Sequence, residues 1–248
     1  MDRDFRQGHL TIDFPVAPFD AALPMLRDTL RVFFANLPFL ATVTLAVYVP
    51  GKLATQFVCY LLEIPFEGVL SYFILMASDL LLSCLVAPAI VYGLVERLRN
   101  GRKAPLGECL RWGRRQYARM LANQLAVEIT VTLWGALLVI PGVVAMVRLV
   151  FTEIVVAVEG DLEGSPLVRS KQLSEGRRWR MFGVMLPMLL LGMIATFVVL
   201  DKIQAATHSR AAFAIADSAL AVAAQLDTVA ALLMYLGTAQ KRVMKLKP

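Results

Sequence analysis

Apolar residues gather along the chain in six long runs, at about 32–60, 68–95, 119–140, 142–159, 181–201 and 211–238. Each is near the roughly 20 residues that a helix needs to cross the hydrocarbon of a bilayer. The runs predict six spans. Pro50-Gly51 either kinks the first or ends it, leaving 52–62 as a helix at the interface. The third and fourth runs are divided only by Pro141-Gly142, which predicts a tight helical hairpin turning at that dipeptide.

The stretches between runs carry a different period. Phe19, Leu23, Leu26, Leu30 and Phe33 fall on one helical face, with Arg27, Asp28 and Arg31 opposite. Leu106, Cys109, Leu110, Tyr117 and Met120 form a second such face, opposite Arg111, Arg114 and Arg115. Helices of this kind lie at the headgroup level, where basic side chains meet anionic lipid and Trp112 and Trp179 suit the interface. A third, after Ser165-Pro166, has Ser165 as a natural N-cap and Gly176 as a natural stop.

These elbows recur in register. Ala17-Pro18, Ala104-Pro105 and Ser165-Pro166 each precede an apolar start by fifteen residues, at Phe33, Met120 and Met181. Ala35-Asn36 matches Ala122-Asn123, and Arg119-Met120 matches Arg180-Met181. The expected architecture is an all-α integral membrane protein forming one polytopic domain over 1–248. Its six transmembrane helices come from three repeats of amphipathic elbow plus helical hairpin, at about 17–95, 104–160 and 165–238.

Composition sharpens this picture. Hydrophobic residues make up 58% of the chain and charged residues 18%, below the roughly 25% of soluble domains. The net charge of +6 matters less than its placement. Of the lysines and arginines, only Lys52, Arg148, Lys202 and Arg210 fall outside the N-terminal segment, the 96–119 and 165–180 connections and the C-terminal tail. By the positive-inside rule both termini are cytoplasmic and Lys52 lies in an outer connection. The expected location is a bacterial inner membrane.

Among the charges within the runs, Asp79, Glu128, Arg148, Glu153 and Asp227 are the candidates for a place inside the membrane. Each costs about 2.5–3.5 kcal/mol at the bilayer centre on insertion scales, so each needs a partner or a purpose. A turn centred at Pro141-Gly142 puts Glu128 level with Val155, close to Glu153. Arg148 does not share a face with Glu153 and pairs with an acid on another span or reaches outward. Two readings stay open. The charges pair within the bundle and fix its packing, or they form a midplane polar site for an ion or headgroup.

Ile140-Pro141-Gly142, Arg148, Glu159-Gly160, Arg169-Ser170, and Gly176-Arg177 with Trp179 and Phe182 follow a known pattern. Over about 100–200 the chain resembles the membrane domain found beside some glycerophosphoryl diester phosphodiesterases, and the uncharacterised YciC-type inner-membrane proteins. The resemblance implies a multi-span fold and an inner-membrane location. It implies no reaction, because the phosphodiesterase chemistry belongs to a separate soluble domain.

Enzyme signatures are absent: no HExxH, P-loop or GxSxG occurs, and His9 and His208 stand alone. Cys59, Cys84 and Cys109 form no CxxC, so neither a disulfide framework nor a zinc site is expected. No cofactor, metal or nucleic acid is expected. Arg114, Arg115, Arg169, Ser170, Lys171, Arg177 and Arg178 are candidates for a lipid headgroup or anion, against the alternative of a solvated basic face. Alanine-rich 211–231 suits close packing in the bundle or a homo-oligomer interface. The first expectation is a non-enzymatic membrane protein that contacts anionic membrane lipids and assists envelope lipid handling or membrane homeostasis. The alternatives are a proton- or cation-coupled transporter of a small polar solute, and a membrane scaffold for a partner enzyme or complex.

Overall fold

The structure, a computed structural model, describes residues 22–65, 68–159, 165–207 and 209–245. All its elements among these residues are helices: α1 (Ala22–Ala35), α2 (Leu37–Leu61), α3 (Val69–Asn100), α4 (Leu106–Leu137), α5 (Val139–Leu149), α6 (Thr152–Glu159), α7 (Pro166–Ser174), α8 (Arg178–Thr207) and α9 (Arg210–Lys245). Five stretches are long and apolar enough to cross a membrane: Leu37–Leu61, Val69–Leu98, Leu106–Leu137, Pro141–Glu159 and Arg210–Thr238. The run at 181–201 lies within α8, and many of its side chains, from 191 onward, fall outside the described residues. The first proline-alanine pair, Ala17-Pro18, falls outside them too.

Helix α9 is the centre of the bundle. Residues Val229 to Leu236 are buried in succession, so every face of this part of the helix meets protein. It packs on α1, α2 and α8, and more lightly on α3 and α6. Small side chains such as Ala214, Ala230 and Ala231 permit that close approach. Large apolar side chains face outward instead on α2, α3 and α4, including Phe57, Leu61, Tyr72, Phe73, Ile129 and Leu133. Helix α4 is at the edge of the fold, with 6% of its most apolar stretch buried against 61% for α9. An all-helical bundle with an apolar exterior is the arrangement of a membrane protein, in which lipid rather than water covers the outer face.

Helices α2 and α3 form an antiparallel pair with a steady register. Thr55 meets Ser78 at 3.2 Å between hydroxyls, and Asn36 accepts from Arg97 at 2.9 Å. At the same end the Arg97 guanidinium sits 4.3 Å from the Phe39 ring centre. Pro50-Gly51 does not end this helix: α2 runs through Pro50 without a break. A side chain at Gly51 would meet Leu82 Cδ2 at 2.5 Å, so the glycine serves the approach of α3. Residue 52 is therefore well inside a helix and not in an outer connection.

The second elbow is not a separate helix. Leu106–Leu137 is one helix, whereas α1 stops at Asn36, before Pro38, and α7 stops at extended Glu175 and left-handed Gly176 (φ +74°). No proline or glycine lies between Gln116 and Gly135 to interrupt α4. Its inner face is Cys109, Gly113, Gln116 and Met120, consistent with the expected stripe. On α1 the buried face is Met25, Thr29 and Phe33, while Leu23 is 82% exposed and Phe34 64%. An elbow between protein and lipid has two apolar faces, and periodicity alone merges them.

The hairpin turn also moves. Helix α4 ends at Leu137, Leu138 is extended, and Pro141 and Gly142 belong to the first turns of α5. Proline is tolerated there because its missing N–H has no helical partner to lose. A side chain at Gly142 would meet Gly135 Cα at 2.7 Å, so this glycine permits contact with α4 rather than a turn.

A Cβ at Gly113 would run into the carbonyl oxygen of Leu85 and approach Ala89 Cβ at 3.4 Å, whereas one at Gly107 would meet nothing within 4 Å. We expect Gly113→Ala to destabilise the α3–α4 pair by about 1–3 kcal/mol. Gly107→Ala should be neutral or stabilising by up to about 1 kcal/mol. Thermal unfolding of both variants in one detergent checks this, and equal behaviour would contradict the packing described.

Candidate functional site

The strongest charge cluster is one the sequence reading did not assemble. Lys52, on α2, is 1% exposed, and its Nζ lies 2.6 Å from Asp79 Oδ1 on α3 and 2.6 Å from Asp217 Oδ2 on α9. Three helices thus converge on one ammonium. Asp79 is among the predicted polar residues, but its partner was expected outside the bundle. The side chain of Asp217 is 17% exposed and that of Asp79 is 48% exposed. The cluster therefore opens toward the periphery through Asp79. One turn further along α2, Gln56 is buried and neither of its amide atoms has a hydrogen-bond partner among the described residues.

A second polar group lies around Glu153. With the turn at Leu138, Gly142 faces Gly135 and Trp112 Nε1 donates to the Ala157 carbonyl at 3.1 Å. This register puts Glu153 near Gln124, which hydrogen-bonds it, and puts Glu128 about a turn away rather than level. Asp227 from α9 and Glu128 are the carboxylates that act on Glu153 through space. Glu128 is exposed on α4, Glu153 and Asp227 are partly buried, and Asp227 Oδ1 has no hydrogen-bond partner among the described residues.

Arg148 does not find the acid expected for it. No carboxylate among the described residues pairs with it, and its Nε is buried without a hydrogen bond. Its backbone is engaged instead. The fourth apolar run is broken between α5 and α6, at Val150 and Phe151. Ser170 of α7 sits across the break: its hydroxyl donates to the Arg148 carbonyl at 2.8 Å and accepts from the Phe151 N–H at 3.1 Å. Two main-chain groups exposed by the break are thereby satisfied. Ser170 is fully buried, so this geometry removes it from the headgroup candidates.

Arg169 is likewise committed. Its Nε lies 3.4 Å from both oxygens of Glu159, and Tyr235 of α9 donates to Glu159 Oε1 at 2.6 Å. Residues that suggested a family pattern, Arg148, Glu159, Arg169 and Ser170, thus form one clasp that holds α7 against α5 and α6 and ties α6 to α9. No family model, curated protein or solved structure matches the chain. The clasp is read from its geometry alone.

Arg114 and Arg115 are exposed on α4, and Lys171 is exposed on α7. Arg177 and Arg178, at the start of α8, are partly buried; Arg177 Nη1 and Arg178 Nε have no hydrogen-bond partner among the described residues. With Gly176, Trp179 and Arg180 they frame a cleft of about 370 Å³. Among the described residues no group of three His, Cys, Asp or Glu could hold a metal ion. Sequence reasoning missed Lys52 and Asp217. The signal for Asp217 was present, an acid within the last apolar run.

Removing one partner of a buried ion cluster leaves uncompensated charge and costs about 3–5 kcal/mol. We expect Lys52→Met to lower stability by about 3 kcal/mol, the partial exposure of Asp79 reducing the effect. Adding Asp79→Asn and Asp217→Asn should recover most of the loss. Thermal unfolding of the single and triple variants is the measurement; a Lys52→Met protein as stable as the wild type would refute a structural role for the cluster.

Proposed function

We propose that the chain is a non-enzymatic, six-span protein of a bacterial inner membrane, with both termini cytoplasmic, that holds anionic lipid at its basic elbows and assists envelope lipid handling. One observation carries this reading. At the α7–α8 elbow, Arg177, Arg178 and Arg180 surround a cleft beside Trp179, whose side chain is 85% exposed. An exposed indole beside several guanidiniums suits the interface, where the ring enters the acyl boundary and the cations meet phosphate. Arg177 Nη1 and Arg178 Nε are donors for which the described residues supply no acceptor. The asymmetry of basic residues supports the orientation, and α8 supplies the sixth span at 30 residues. The likeness to membrane domains beside phosphodiesterases agrees with a role next to lipid substrates, and extends the reading to a scaffold for a partner enzyme.

Trp179 gives a direct test. In a variant with Trp112 and Trp134 replaced by phenylalanine, fluorescence from Trp179 should be quenched more by brominated phosphatidylglycerol than by brominated phosphatidylcholine. Arg177→Gln with Arg178→Gln should remove the preference. Equal quenching by the two lipids in the Trp179-only protein would refute the reading.

A second reading, proton- or cation-coupled movement of a small solute, is supported by Glu153 and Asp227. They bring two carboxyl groups together with no lysine or arginine paired to either among the described residues. Vesicles containing the protein, loaded with a pH-sensitive dye and given an inside-negative potential, should acidify faster than empty vesicles. Glu153→Gln with Asp227→Asn should abolish the difference, and unchanged flux would refute this reading.

A further inference from the structure

We propose that Arg148 and Lys171 together hold the phosphate of an anionic membrane lipid in a cleft between α4, α5 and α7. This site is separate from the α7–α8 elbow, and the proposal rests on the reading of the protein as a lipid-contacting membrane protein. The cleft has a volume of about 230 Å³, and its lining includes Thr130, Trp134, Pro141, Val144, Arg148 and Lys171. That is roughly eight times the ~30 Å³ share of one water, enough for a phosphate and the first atoms of a glycerol backbone.

Two cations line this cleft, Arg148 from α5 and Lys171 from α7. Ser170 is fixed to the Arg148 carbonyl and the Phe151 N–H. The turn of α7 that carries Lys171 is thereby anchored to the wall of the cleft that carries Arg148. Neither cation is paired with a carboxylate among the described residues, and Arg148 Nε is buried without a hydrogen bond. Two like charges on one cleft repel, and a counter-charge bound between them relieves that repulsion. Glu128 does not supply it: it is two residues from Thr130, about 200° around α4, and so points away from the cleft. Glu159 is occupied by Arg169 and Tyr235.

The remaining walls select the class of anion. Trp134, Pro141, Val144 and Leu149 are apolar, and Trp134 is 48% exposed. A small hydrated anion gains nothing from such walls, whereas a lipid buries its glycerol and upper acyl atoms against them. Arginine offers a planar pair of donors to phosphate, and the lysine adds a point charge. The Thr130 hydroxyl already donates to Ala126 at 2.6 Å, leaving its oxygen facing the cleft as an acceptor for a headgroup hydroxyl.

The test uses the full chain in a neutral detergent, following the thermal midpoint as phosphatidylglycerol is added. Ligand binding raises the midpoint with concentration. We expect phosphatidylglycerol to raise it and phosphatidylcholine to leave it unchanged. Arg148→Gln or Lys171→Gln should weaken the response roughly tenfold or more, the loss expected for a charge-assisted bond. Lys171→Glu is the decisive variant. In the Arg177→Gln, Arg178→Gln background, where the elbow site is gone, it should abolish the remaining response and raise the midpoint of the lipid-free protein, because the new carboxylate neutralises Arg148. A Lys171→Glu protein that responds like the wild type overturns the proposal, as does equal stabilisation by inorganic phosphate alone. Arg177→Gln with Arg178→Gln should remove only the elbow's share of the response and leave the share that depends on Lys171. If that pair abolishes the whole response while Lys171→Glu does not, this site fails but the lipid reading stands; a wild type indifferent to phosphatidylglycerol ends both.

Discussion

The fold rests on one constraint: a charge taken into an apolar bundle must bring its partners with it. Lys52 states the constraint most sharply. Its ammonium is almost wholly removed from the surface, and it draws Asp79 from α3 and Asp217 from α9 to the same point. Hydrophobic packing is weakly directional, and three apolar helices can slide past one another at little cost. Two ion pairs at 2.6 Å on a common nitrogen allow one register. The sequence of contacts from Thr55–Ser78 to Asn36–Arg97 follows from that pin.

The same rule organises the other end of the molecule, with main-chain groups in place of charges. A helix broken inside a bundle exposes a carbonyl and an N–H that need partners. Ser170 provides both at the α5–α6 break, and Glu159 ties the neighbouring Arg169 to Tyr235 on the central helix. The clasp explains why a short polar helix is held against an apolar hairpin. It also explains how two basic side chains come to share a cleft: their backbones are fixed by bonds that involve neither charge. In a chain proposed to handle lipid, that separation of tasks leaves the cations available for a ligand.

Much of the candidate site was legible. Asp79, Glu128, Arg148, Glu153 and Asp227 stand out as charges in apolar runs, and four of them are wholly or partly buried near other polar groups in the bundle. Their partners were not legible. Lys52 follows Pro50-Gly51, a dipeptide that ordinarily ends a helix, so the lysine read as part of a connection. Tertiary packing kept the helix intact because α3 fills the space beside Gly51. The depth of Glu128 against Glu153 depended on the residue at the hairpin turn, and a shift from Pro141 to Leu138 moved their relation by a helical turn. Ser170 looked like a phosphate ligand because it lies between Arg169 and Lys171; nothing local announces that a helix nineteen residues earlier is broken and needs its hydroxyl.

What the sequence by itself determined is the class of structure and where polarity lies along it: all-helical, with runs long enough to cross a bilayer, basic residues concentrated in alternate connections, and isolated charges inside the runs. These are one-dimensional properties, set by period, length and composition. The tertiary structure alone decided which charges meet, which faces of α1 and α4 turn inward, and which main-chain groups Ser170 serves. A side chain within an apolar run carries no record of its partner, because pairing depends on the register between helices far apart in the chain, and that register is fixed only when all of them pack at once.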